Sequence, residues 1–167
     1  MGIELIVLDV DGCLTDGRII YGASGEELKA FDVKDGLAIA SWIRLGRQAA
    51  IITGRTSSIV ERRARELGIR HLYQGVRQKK ERLEALLEEL QLSAGQAAII
   101  GDDLNDYAML KAAGRSYAPA DAYPMVREAV DVELRHPGGR GAVREMIEDL
   151  FDHEGLREEF FRLWSVG

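Results

Sequence analysis

Cysteine is almost missing from this 167-residue chain: Cys13 stands alone, so no internal disulfide can form, and its expected role is a small filler beside a turn. No apolar stretch approaches the roughly 18 residues of a membrane span, and the amino terminus lacks the basic region that precedes a signal-peptide core. Those absences predict a soluble, cytoplasmic protein with no membrane partner. An excess of basic charge is lacking too: 22 Lys and Arg face 28 Asp and Glu, a formal charge of −6. That balance argues against nucleic acid as a partner, because a surface for it would show clustered positive charge. The one dense basic group, Arg62, Arg63 and Arg65, reads first as the solvated face of a helix. Proline is scarce, and its three copies, at 119, 124 and 137, all fall after Gly114.

What is present is a patterned globular sequence. Hydrophobic residues make up 46% of the chain, enough to bury a core as one domain over 1–167, with no room for a second of ordinary size. The run Ile3 to Val10 holds four consecutive apolar residues, Leu5 to Leu8, and predicts a strand buried on both faces. Arg18 to Tyr21 and Glu27 to Phe31 read as two short strands joined around Gly22-Ala23-Ser24-Gly25, a β-hairpin insertion over 17–32. A helix opens at Asp35 or Gly36 and continues through Leu37, Ile39, Trp42 and Leu45 until Gly46. Strands at Ala49 to Ile52, Arg70 to Tyr73 and Ala97 to Ile100 then alternate with helices starting at Ser57-Ser58, running from Lys79 to Leu90, and passing through Met109 to Ala113. Alternation of this kind predicts an α/β fold, a doubly wound parallel sheet with helices on both faces.

After Gly114 the pattern is more broken. Pro124 suits the opening of a short helix to Ala129, and Val130 to Leu134 an edge strand. The last segment, 136–167, combines a glycine-rich loop, His136 to Gly141, expected to be mobile, with a helical tail. In that tail Val143 to Phe151 forms one helix, while Leu156, Phe160, Leu163 and Trp164 recur at helical spacing as packing or subunit contact.

Polar residues gather where the apolar runs end. Asp9-Val10-Asp11-Gly12-Cys13-Leu14-Thr15-Asp16-Gly17 places two carboxylates one residue apart just past the first strand. A bare DxDG also begins turns, but the carboxyl edge of an open α/β sheet is where ligands bind. One Asp could be a nucleophile and the other a proton donor, because aspartyl-phosphate formation is known carboxylate chemistry. Ile51-Ile52-Thr53-Gly54-Arg55 ends the same way, as does Ala98-Ile99-Ile100-Gly101-Asp102-Asp103-Leu104-Asn105-Asp106. Asp103 and Asn105 also suit a helix start, and capping is the favoured role for Asn105.

Taken in order, DxDGxxTDG, ITGR, Lys79-Lys80 and GDDLND resemble the four motifs of the haloacid dehalogenase superfamily of phosphatases, from about Ile3 to Asp106. Phe31-Asp32-Val33-Lys34-Asp35-Gly36, His71-Leu72-Tyr73-Gln74-Gly75-Val76 and Gly138-Gly139-Arg140-Gly141-Ala142-Val143-Arg144-Glu145 look like its small, capless branch acting on phosphorylated sugar acids. The likeness then covers nearly the whole chain.

That resemblance implies a Rossmann-like domain without a cap, and a phosphatase in which Asp9 attacks phosphorus. Asp11 would protonate the leaving oxygen and then activate water, and Thr53 would donate a hydrogen bond to a phosphoryl oxygen. Lys79, preferred to Lys80 by its spacing from the YQG segment, would add positive charge. The metal carries over onto the Asp9 side chain, the Asp11 carbonyl and the Asp102 side chain, with Asp103 and Asp106 around them and Asp106 holding Lys79. Carboxylates clustered around a dianionic substrate need a hard cation, and oxygen-only ligands describe Mg²⁺ better than Zn²⁺.

The implied substrate is a small phosphorylated sugar acid, 3-deoxy-D-manno-octulosonate 8-phosphate, on the path to lipopolysaccharide. A nine-carbon sialic-type sugar acid 9-phosphate is the nearest rival; in that subgroup the residue after ThrGly tends to be acidic, whereas here it is Arg55. A non-catalytic oligomerising module, like those fused to some sugar-nucleotide synthetases, is a third reading that the intact motifs count against. Without a cap the site is open, and the resemblance implies a homotetramer whose hairpins associate while the glycine-rich carboxyl-terminal segment reaches a neighbour's site. Substrate contacts would come from Thr53, Gly54, Arg55, Arg63 and Lys79, and from Arg140 of a neighbouring subunit.

Overall fold

The apolar run at the amino terminus forms the interior of a sheet in the computed structural model, which describes residues 2–166. All four side chains of β1 (Leu5–Leu8) are fully buried. Leu5 and Val7 point into one apolar layer and Ile6 and Leu8 into the other, as the two-residue period of a strand demands. The chain then leaves the sheet for a separate antiparallel ribbon, β2 (Ile20–Tyr21) paired with β3 (Glu27–Leu28). It returns through α1 (Val33–Arg44), whose amino end is capped by the Asp32 carboxylate accepting from the Lys34 N–H at 2.7 Å.

Four units follow: β4 (Gln48–Ile52) with α2 (Ser58–Leu67), β5 (His71–Tyr73) with α3 (Lys79–Leu90), β6 (Ala97–Ile100) with α4 (Leu104–Leu110), and β7 (Arg115–Ala118) with α5 (Pro124–Ala129). The short edge strand β8 (Val132–Glu133) precedes α6 (Ala142–His153) and α7 (Arg157–Leu163). The sheet runs β5-β4-β1-β6-β7-β8 and every pairing in it is parallel, the doubly wound arrangement expected from the alternation. Helices α1, α2, α6 and α7 cover one face, and α3, α4 and α5 the other. The strand order reverses at β1, where such sheets bind ligands.

Three expectations need correction. Strand β7 was not foreseen, because Arg115-Ser116-Tyr117 carries two polar groups; Asp149 accepts from the Arg115 guanidinium at 2.9 Å, and Asp131 accepts from the Ser116 hydroxyl at 2.8 Å. Helix α4 stops at Leu110, short of Ala113, and its cap is Asp103, accepting from the Leu104 N–H at 2.7 Å; Asn105 sits inside the helix and does not cap it. The glycine-rich loop is docked rather than free. Its Gly139 N–H donates to the Cys13 carbonyl at 2.9 Å, its Gly138 N–H donates to Asp121 at 2.9 Å, and a Cβ on Gly138 would collide with the Gly12 carbonyl. The glycines permit close approach here, not mobility.

The tail packs against its own domain. Phe160 stacks on Phe151 with ring centroids 4.6 Å apart, Phe151 lies 6.0 Å from Trp42, and the Trp164 indole N–H donates to the Ser41 hydroxyl at 3.0 Å. Burying each such ring contributes roughly 1.5–3 kcal/mol, enough to hold a seven-residue helix too short to be stable alone.

Candidate active site

Register builds the site. Leu8 pairs with Ile51 on one side and Ile100 on the other, so β1, β4 and β6 end together and set Asp9, Thr53 and Asp102 just beyond the sheet. The turn after β1, Val10–Leu14, needs Gly12 twice over. Its φ of +97° is open to glycine, and a Cβ there would strike the Asp102 carboxylate. Thr15 fixes this turn, its buried hydroxyl accepting from the Gly17 N–H at 3.1 Å and from the Gly12 N–H at 3.4 Å.

Lys79 opens α3 and points its ammonium into the same place. The Nζ donates to Asp9 Oδ1 at 2.8 Å and to Asp106 Oδ1 at 2.6 Å, with the lysine side chain 1% exposed. Asp106 accepts with its other oxygen from the Asp102 N–H at 3.0 Å, which ties α4 to the end of β6. Lys80 instead faces outward, 3.6 Å from Glu84.

The electrostatics are unbalanced. Three buried or half-buried carboxylates, Asp9, Asp102 and Asp106, surround one lysine. Burial first, and Asp106 second, push the Asp9 carboxyl from 3.8 up to about 6 despite Lys79. Asp102 rises to about 8, through burial and then through Asp9, Asp106 and Asp103. Burial alone would lower the Lys79 pKa, but Asp9 and Asp106 outweigh it and hold the ammonium charged. A site with this excess of negative charge is completed by a cation.

Carboxylate oxygens of Asp9 and Asp102 and the Cys13 sulfur lie within 4.8 Å of one another. Burial, followed by Asp102 and Asp9, drives the Cys13 thiol well above its ordinary pKa, so at neutral pH it is a protonated, soft and poor ligand. The donor set that remains, the carboxylates of Asp9 and Asp102, is all oxygen and suits a hard divalent ion.

A cavity of about 240 Å³ opens over these groups, lined by Asp9, Asp11, Gly17, Thr53, Gly54, Arg55, Asp102, Asp103 and Asn105. A larger cleft of about 540 Å³, lined by Ile43, Arg47, Arg70 and His71 among others, lies at the amino ends of β4 and β5, far from the paired carboxylates. Of the residues expected to touch substrate, the fold brings Thr53, Gly54 and Arg55 to the small cavity and buries Lys79 beneath it. Arg63 lies elsewhere on its own chain, 5.6 Å over the Phe31 ring and 3.6 Å from Glu66. Arg140 is exposed and does not line the cavity of its own chain.

Two residues that the sequence reading passed over also reach the site. Lys29 and Glu27 extend from the hairpin to Asp11 and Arg55: the Lys29 Nζ donates to Asp11 Oδ1 at 2.6 Å, and the Arg55 guanidinium donates to Glu27 Oε1 at 3.0 Å. The available signal was their spacing, because residues two apart on a strand share a face.

A carboxylate-rich cavity at the switch point of a parallel sheet, with one lysine locked into it, defines an α/β enzyme that does its chemistry on carboxylates. The family model described as haloacid dehalogenase-like hydrolase matches residues 24–114. The 3-deoxy-D-manno-octulosonate 8-phosphate phosphatase KdsC of Escherichia coli K12 is 45% identical over 157 residues, 94% of this chain and 84% of that protein. The crystal structure of 3-deoxy-D-manno-octulosonate 8-phosphate phosphatase from Moraxella catarrhalis, in complex with magnesium ion, phosphate ion and a KDO molecule, superposes with a TM-score of 0.94. It is 40% identical, and the match covers 97% of this chain and 93% of that one. A probable yrbi family phosphatase from Pseudomonas syringae superposes with a TM-score of 0.96 at 43% identity, over 99% of this chain and 94% of that one. The chain belongs to the haloacid dehalogenase-like hydrolase family.

Proposed function

We propose that the protein is a Mg²⁺-dependent phosphatase that hydrolyses 3-deoxy-D-manno-octulosonate 8-phosphate to the free sugar acid and phosphate. The observation that carries this reading is Lys79, buried between Asp9 and Asp106 beneath a cavity that Asp11, Thr53 and Asp102 also line. The relatives from E. coli and M. catarrhalis, phosphatases of that substrate, support it. A phosphate ester does not cross a bilayer unaided, so the protein works in the compartment where its substrate is made, which we take to be the cytoplasm.

In the mechanism, Asp9 attacks phosphorus while Lys79 fixes one of its oxygens, and the bond from phosphorus to the sugar oxygen breaks. Asp11 gives its proton to that leaving oxygen, then takes one from the water that hydrolyses the aspartyl-phosphate. Thr53 donates to a phosphoryl oxygen as charge builds there. Asp9, Asp102 and the Asp11 carbonyl hold Mg²⁺, whose contribution is to offset the carboxylate charge and polarise the phosphoryl group. Asp103 and Asp106 support those ligands, Asp103 by starting α4 and Asp106 by holding both Lys79 and the Asp102 main chain.

Recognition of the sugar acid falls to Arg55 at the cavity rim, with Arg63 and a neighbouring subunit's Arg140, in a homotetramer. An exposed apolar patch on and beside the hairpin supports that assembly: Ile19, Ile20, Tyr21, Leu28 and Val33 are 43–78% exposed. The test is a side-by-side turnover panel of eight-carbon and nine-carbon sugar-acid phosphates with hexose phosphates as controls. Preference for the eight-carbon acid is the expected result; a preference for the nine-carbon acid or for a hexose phosphate would overturn the substrate assignment.

A further inference from the structure

The hairpin ribbon β2–β3 does more than present an apolar surface. Its inner face meets the active site through four side chains of alternating charge that close a ring. The Lys29 Nζ lies 2.6 Å from Asp11 Oδ1, Arg55 Nε lies 4.0 Å from Asp11 Oδ2, Arg55 Nη2 lies 3.0 Å from Glu27 Oε1, and Glu27 Oε1 lies 3.4 Å from the same Lys29 Nζ. Lys29 therefore holds Oδ1 by a hydrogen bond, while Arg55, 4.0 Å from Oδ2, is beyond hydrogen-bond reach and leaves that oxygen to carry the proton. Lys29 is the deeper of the two, its side chain 1% exposed against 41% for Arg55. A buried ammonium stays where its carboxylate partners are, because leaving them would strand a charge away from water. Leu28 points outward at 52% exposure, while its neighbours Glu27 and Lys29, the latter just past the end of β3, turn to the other side, where Lys29 meets Asp11.

We propose that Lys29 is a positioning residue: it fixes the rotamer of the Asp11 carboxyl so that the group which protonates the leaving oxygen is aimed before the substrate arrives, and Glu27 holds Lys29 and Arg55 in register with it. Reactions that depend on a positioned proton donor lose most when that donor swings free. The inference rests on Asp11 acting as the general acid of the proposed phosphatase reaction.

That dependence gives the test its selectivity. An alkyl phosphate such as the sugar-acid 8-phosphate expels a basic alkoxide that must be protonated as it leaves, whereas p-nitrophenyl phosphate expels a stable phenolate that need not be. Comparing kcat/KM isolates the step that forms the aspartyl-phosphate, so the later use of Asp11 on water does not enter. Lys29→Met should lower kcat/KM at least about tenfold for the alkyl ester and less than about threefold for the aryl ester. Lys29→Arg, which keeps the charge but moves it, should give the same ordering with a smaller loss, and it serves in place of Lys29→Met if that variant does not fold. Equal losses on the two esters, or no loss on the alkyl ester, would overturn the assignment. Wild-type protein that turns over neither ester would overturn the phosphatase reading and the inference together, while a wild type active on both leaves the inference to the ratio alone.

Discussion

Asp35 should cost the protein stability at neutral pH, and replacing it with Asn should make the fold stronger. The residue lies on α1 with 1% of its surface exposed. Its Oδ1 accepts from the Arg144 N–H at 2.8 Å, in the first turn of α6, where Gly141 offers no capping side chain of its own. Among the described residues its Oδ2 has no hydrogen-bond partner. Burial is the main force on the carboxyl and raises it from 3.8 to about 6, aided by Asp32 and opposed by the N–H groups of Arg144 and Gly141 and by His136. That rise corresponds to about 3 kcal/mol at roughly 1.4 kcal/mol for each tenfold change. A carboxyl whose pKa is higher in the folded state contributes stability below about 3.8 and loses it as pH climbs through about 6. Asn keeps the acceptor for Arg144 and carries no charge, so Asp35→Asn should be more stable than the parent by about 2–3 kcal/mol at pH 8 and by less than about 1 kcal/mol at pH 4. Urea unfolding of both proteins at the two pH values, at one protein concentration, reads this difference. A variant no more stable than the parent at pH 8, or a gain that does not change with pH, would refute the reasoning.

Asp9→Asn should lose several orders of magnitude in kcat while melting as a folded protein, and near-normal turnover in such a sample would end its assignment as nucleophile. EDTA should abolish turnover and Mg²⁺ restore it, and Asp102→Ala should weaken Mg²⁺ binding measured by calorimetry; unchanged affinity would remove Asp102 from the metal site. Gly138→Ala should lower kcat on every substrate with the far-UV circular dichroism spectrum retained, because a Cβ there forces the loop off the Gly12 carbonyl and frees the catalytic turn. Arg140→Ala should raise KM for the sugar-acid phosphate while leaving p-nitrophenyl phosphate almost unaffected; equal losses on both would assign Arg140 to stability instead.

The parts that sequence made legible share a physical cause. Strands β1, β4 and β6 are buried on both faces, so Leu5 to Leu8, Ala49 to Ile52 and Ala97 to Ile100 had to be continuously apolar. Their polar termini then stood out against that background, which is why Asp9, Thr53 and Asp102 could be picked out as candidates, whereas Lys79 was singled out by the family resemblance. Strand β7 escaped because its Arg115 and Ser116 are satisfied by Asp149 and Asp131, 34 and 15 residues away. The docking of the glycine-rich loop escaped for a related reason: glycine marks flexibility and close approach with the same letter, and only the Gly12 carbonyl beside Gly138 distinguishes them. Lys29 stands 18 residues from Asp11, with nothing local to connect them.

The turn after β1 gathers these hidden contacts, and the energetics around it explain why so many are needed. Asp9 is held at about 6 and Asp102 at about 8, so the fold carries carboxylates that would be more stable in water. Asp9 leads directly into the turn after β1, so a turn free to relax outward would dilute that charge. Thr15 ties it from within, the Gly138–Gly139 loop lies against it from the carboxyl-terminal side, and Lys29 draws Asp11 toward the hairpin. Lys79, reaching in from α3, bridges Asp9 and Asp106 at the centre. Asp35 belongs to the same economy, since the α6 terminus that it holds begins where the glycine-rich loop ends. Stability given up at Asp35, Asp9 and Asp102 is thus given up along one connected path to the carboxylates of the cavity, as expected where a fold holds a charged site in place before its ligand is bound.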